Sequence, residues 1–84
     1  MTPSDQARDY AYQQYIVPAR LVGNRTVTFT SGPIYEALGF QDRDRINCIC
    51  GALEAHKFET QRGVKLVARN GPKFGVSTTF TFAI

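Results

Sequence analysis

The chain has no tryptophan, one histidine and two cysteines among its 84 residues, and each scarcity closes off a class of chemistry. With His56 alone, no Ser/His/Asp or Cys/His set can be placed on adjacent elements. Cys48 and Cys50 stand two residues apart, which on a helix points them to nearly opposite faces. A shared disulfide or a shared metal is therefore poor geometry, and a zinc site needs about four ligands. The two are read as reduced thiols packing as small hydrophobes. There is no P-loop and no GxGxxG. Glu36, Glu54 and Glu59 are spread over helix surfaces and do not suggest a paired-carboxylate site. The expectation is a protein that is not an enzyme, with no cofactor and no metal. No stretch approaches the roughly 18 apolar residues of a membrane span. Met1 to Asp5 lacks the basic start and apolar run of a signal peptide. Together these predict a cytoplasmic protein without a membrane partner.

What is present suits one folded domain spanning residues 1–84. Hydrophobic residues make up 43% and charged residues 20%, a balance that argues against disorder. The net charge is +3, and its distribution is uneven. No acid follows Glu59, yet Arg62, Lys65, Arg69 and Lys73 do. A basic last third on an otherwise balanced chain suits contact with phosphate.

Periodicity divides the chain into closely spaced elements. Ser4 is a good N-cap, and Ala7, Tyr10, Ala11 and Ile16 approximate one helical face, with Tyr12 and Tyr15 flanking it. Pro18 interrupts that helix. The preferred reading is a kinked helix continuing through Leu21 to Gly23; the competing one is a strand over Val17 to Val22. Thr26 to Thr30 alternates and is β-branched, so it reads as a short strand. Ser31 and Pro33 open a helix whose buried stripe is Ile34, Ala37 and Leu38 and which Gly39 ends. Asp42 is the expected cap of the next helix, whose Ile46, Ile49, Cys50 and Leu53 fall at i, i+3, i+4 and i+7. That helix is expected to run to His56 or Lys57, with Phe58 folding back on the core. Val64 to Ala68 and Val76 to Ile84 are strands of a hairpin, and Phe80, Phe82 and Ile84 share one face of the second. The connection, residues 69–75, is dense in turn formers.

Helix, short strand, helix, tight turn, helix and hairpin, in that order, resemble the winged helix-turn-helix family. The likeness covers Ser4 to Ile84. It rests on element order and on the pair formed by Ile34 to Phe40 and Asp42 to Leu53. The fold implied is α+β, with three helices, a short strand and a C-terminal hairpin as the wing. The function implied is binding of double-stranded DNA, as a transcriptional regulator or accessory factor. In that family the second helix of the pair enters the major groove. Here its outward residues would be Arg43, Arg45, Asn47 and Cys48, with Gly51, Ala52 and Ala55 further along. Arginine suits guanine and asparagine suits adenine. Arg69, Asn70 and Lys73 would sit in the wing, between glycines that let backbone approach a phosphate. Asp42 and Asp44 depart from this pattern, since they would face phosphate unless they cap or pair. A homodimer through the first helix is compatible with so small a domain. The rival reading is a winged-helix docking module that binds protein and no DNA.

Overall fold

The architecture is α+β: a helical layer packed on one face of a three-stranded antiparallel sheet, seen in a computed structural model. The structure describes residues 2–39, 44–71 and 77–84, with Asp44 and Arg45 as helix backbone. The expected cap Asp42 and the start of the last strand at Val76 lie outside the described residues.

The first helix begins two residues earlier than the Ser4 cap predicts. Thr2 is the cap, and its hydroxyl accepts the Asp5 N–H at 3.1 Å. Pro3 follows at the first helical position, where its missing N–H has no partner to lose. Helix α1 spans Pro3–Ala11, a π-helical turn covers Tyr12–Ile16, and α2 spans Val17–Leu21. The chain is thus helical through Pro18, in the kinked form preferred over a strand. Proline cannot donate to the carbonyl four residues back and its ring crowds that carbonyl. The wide turn just before it, in which the Val17 N–H reaches the Tyr12 carbonyl, relieves the crowding. It also keeps Ile16 on the face of Ala7 and Ala11: the step from 7 to 11 is an α turn, and the step from 11 to 16 a π turn. All three are fully buried.

Strand β1 is Thr26–Thr30, as read from its alternation, and α3 is Ser31–Ala37. Thr30, not Ser31, occupies the cap position, and Ser31 is a buried helical residue. Ile34 is buried and Leu38 half-buried, but Ala37 is exposed, so the stripe of α3 is narrower than expected. Helix α4, Asp44–Glu54, buries Ile49, Cys50 and Leu53 against α1 and α3, with Ile46 half-buried beside them. It stops short of His56. Ala55 takes an extended conformation with ψ 137 and caps a separate helix α5, His56–Arg62, which places Phe58 in the core. Gly63, at φ 65, ends α5 in the left-handed region that glycine enters without strain.

Strand β2 is Lys65–Asn70 and β3 is Thr79–Ala83. The sheet order is β1-β3-β2, so the last strand lies between the first two. Phe29 pairs with Phe80 and Val27 with Phe82 across β1 and β3. Phe80 and Phe82 are fully buried. Tyr15 stacks on Phe29 with ring centroids 4.8 Å apart, Phe29 on Phe82 at 5.5 Å, and Phe58 meets Phe82 edge-on at 5.3 Å. Each such pair adds about 0.5–1.5 kcal/mol beyond its buried area. The opposite face of the sheet carries Thr26, Thr28, Thr79 and Thr81, and the hydroxyls of Thr28 and Thr81 bond at 2.9 Å.

Candidate functional site

Helix α4 and the β2–β3 hairpin are the two elements to which the sequence assigns function. On α4, Asn47 is exposed and Cys48 half-buried. Gly51, one turn beyond Asn47, is exposed, and a β-carbon placed there would meet nothing within 4 Å. The backbone of α4 is therefore open to close approach at Gly51. Ala52 does not share this outward face: it is 3% exposed and packs in the core, one residue before Leu53. Helix α4 packs against both α1 and α3, which narrows its free stripe relative to the seven outward positions expected. Arg45 belongs to α4, while Arg43 lies outside the described residues.

The hairpin differs from the sequence reading in where its strand ends. Arg69 and Asn70 are not in the connecting loop; they are the last two residues of β2, opposite Phe80 and Thr79. A β-bulge lies between Leu66, which faces Phe82, and Ala68, which faces Thr81. Val67 is the extra residue, and beyond it the alternation flips. Leu66 and Arg69, three apart, thereby both face the helical layer. Arg69 forms an ion pair with Glu54 at the end of α4, and its guanidinium carbon lies 5.9 Å from the Phe80 ring centroid. Asn70 is exposed, and Gly71 follows at φ 103. Lys73 lies outside the described residues.

The hairpin's entry is fixed by α5. Glu59 accepts the Leu66 N–H at 2.9 Å, and this bond holds its carboxyl below the usual glutamate range, with His56 at 3.2 Å helping. Arg62 reaches Asp9 at 3.5 Å and lies over the Tyr12 ring at 4.3 Å from its centroid. Lys57 and Arg62 are thus α5 residues, and Arg62 is tied to α1 and the π turn. Asp5, bonded to Arg8 at 2.8 Å, is likewise held below its ordinary range by that partner. Tyr15 is pushed the other way, since burial disfavours the phenolate.

No protein-family model, curated protein or solved structure matches the chain. The site therefore rests on its own geometry. Among the described residues no three His, Cys, Asp or Glu side chains gather where a metal ion could be held. No described helix is long and apolar enough to cross a membrane. Cys48 is half-buried and Cys50 buried, each as a free thiol. What α4 and the hairpin offer is a surface: Asn47, Cys48 and the bare Gly51 on a helix, and the exposed end of β2 at Asn70. Two features of it were missed in the sequence. The Glu54–Arg69 pair depends on the bulge, and α5 depends on a helix break at Ala55 that no glycine or proline announces.

Proposed function

We propose that the chain is a winged helix-turn-helix protein that binds duplex DNA without catalysis, with α4 in the major groove and the β2–β3 hairpin on the phosphate backbone. The observation that carries this reading is topological. A helix, a strand, a helical pair and a hairpin follow in order, and the short first strand joins the hairpin in the sheet order β1-β3-β2. That arrangement buries one face of the sheet under the helices and leaves α4 with a free stripe bearing Asn47 and the open backbone at Gly51. Asparagine at such a place can bond adenine in two places, and a bare glycine lets a bulky partner come close. Arg45 and Cys48 on α4, and Arg43 before it, complete the groove-facing set; Asn70 and Lys73 serve the backbone. Such a protein acts in the cytoplasm as a regulator or accessory factor, and a homodimer through the first helix would double its short footprint.

One observation favours a second reading, a docking module that binds protein and no DNA. Glu54 neutralises Arg69 where α4 meets the hairpin, which thins the positive charge there.

The deciding experiment is titration of a fluorescent random-sequence duplex at two salt concentrations, with the wild-type protein and the Arg45→Ala/Lys73→Ala variant. DNA binding predicts a log K that falls with log salt at a slope of roughly −3 to −5, and weaker binding by the variant. A folded protein that leaves the duplex unbound at low salt gives the site to a protein partner.

A further inference from the structure

Leu21, the last residue of α2, and Val22, its C-cap, are aliphatic residues that no described residue covers. Leu21 is 82% exposed and Val22 73%. They are not part of a loose tail. Gly23 reverses the chain at φ 83, and the Asn24 N–H returns to the Ala19 carbonyl at 2.9 Å, which holds the turn against the helix.

Two cations flank the pair along the chain, and a third lies across the sheet from the second. Arg20 precedes it, exposed and anchored by donating to the Arg62 and Gly63 carbonyls at 2.9 and 3.0 Å. Arg25 follows it, exposed, with its carbonyl bonded to the Ile84 N–H. Lys65, also exposed, shares with Ala83 and Thr26 the register row next to Arg25. The acids on the packed elements are engaged: Asp9 with Arg62, and Glu59 with the Leu66 N–H and His56.

We propose that the end of α2, with Arg25 and Lys65, is a docking site for an acidic segment of a partner protein that carries aliphatic side chains. Two exposed aliphatics gain nothing from phosphate, so they single out a protein over a nucleic acid. The cations in turn argue against a second copy of this chain, because a two-fold contact would bring two equally cationic patches together. The row holding Lys65 and Thr26 lies at the far end of the sheet from Asn70, Thr79 and Thr30, where the hairpin turns. The site is thus separate from the hairpin end of the proposed DNA face, and it stands or falls independently of that reading.

The probe is a short synthetic peptide alternating glutamate and leucine, added to the isotope-labelled full chain and followed by amide chemical shifts. A matched peptide with lysine for glutamate is the control. The acidic peptide is expected to shift Leu21, Val22, Arg25 and Lys65 in a salt-sensitive way, and the lysine peptide to leave them unmoved. Leu21→Ser with Val22→Ser, and separately Arg25→Glu, should each weaken the acidic peptide about tenfold, which is roughly 1.4 kcal/mol. All three side chains are exposed, so an unchanged thermal midpoint confirms that the variants fold. Shifts that map elsewhere, or no shifts at all, overturn the proposal. It is equally overturned if duplex DNA or anionic phosphatidylserine vesicles move these residues and the acidic peptide does not.

Discussion

Glu54, at the end of α4, and Arg69, near the end of β2, form an ion pair that joins the candidate recognition helix to the hairpin. The side chains are 29% and 23% exposed, and Arg69 lies beside the Phe80 ring. Breaking the pair from the acid side has two consequences of opposite sign. Glu54→Gln should lower unfolding stability by about 1 kcal/mol, since a half-buried arginine loses its counter-charge. On the DNA-binding account the same change removes an acid where α4 meets the hairpin, so duplex affinity should rise. Denaturant unfolding and a salt series of duplex titrations measure the two effects, and an affinity that falls in Glu54→Gln counts against DNA approaching the corner where α4 meets the hairpin.

That pair also marks where sequence reasoning reached its limit. Strand β1 was legible because Thr26 to Thr30 alternates and nothing interrupts it. The buried face of α4 was legible because Ile49, Cys50 and Leu53 keep the helical period. Arg69 was misplaced because a bulge carries no composition signal: Val67 and Ala68 are ordinary strand residues, and only the partner strand reveals that Val67 is extra, between Leu66 opposite Phe82 and Ala68 opposite Thr81. Helix α5 was missed for a similar reason. The stretch from Glu54 to Lys57 suits a continuing helix, and the extended Ala55 goes with a long-range contact, Phe58 on Phe82, that local sequence does not show. Ala52 reads as outward by its position in the winged-helix likeness, yet small residues also suit close helix packing, and it is buried.

Glu59 predicts an acid-labile link between α5 and β2. Its carboxyl is held below the ordinary glutamate range by the Leu66 N–H. The unfolded chain therefore takes up this proton first as pH falls. The stabilisation is complete above the unfolded value of about 4.3 and is lost as pH falls through the lower folded value. Thermal midpoints of wild type and Glu59→Gln should accordingly differ most near neutrality and converge in acid. A gap that stays constant down to strong acid removes Glu59 from this role.

Tyr15 gives a prediction at the alkaline end. Its phenol is raised above the ordinary value by burial, so the unfolded chain loses this proton first as pH rises. Wild-type stability should decline above about pH 10, and Tyr15→Phe should soften that decline while keeping the stack on Phe29. Tyr15→Ala, which removes the ring, should cost about 3 kcal/mol at neutral pH by denaturant unfolding.

Gly71 is required by backbone geometry. It sits at φ 103 directly after β2, and a β-carbon there would meet the Ser77 carbonyl oxygen at 3.0 Å and the Thr78 Cα at 3.3 Å. Gly71→Ala should destabilise the fold by roughly 1–3 kcal/mol through strain and crowding together. Urea midpoints test this, and a neutral outcome shows that the hairpin turn can rearrange.

The central claim, that α4 reads duplex DNA, is tested most directly by mapping the duplex footprint on the isotope-labelled protein at low salt. The account predicts that amide shifts concentrate at Asn47, Cys48 and Gly51 on α4 and at Asn70 and Gly71 on the hairpin, and that they vanish as salt is raised. Shifts confined to α2, α5 or the threonine face of the sheet would contradict it.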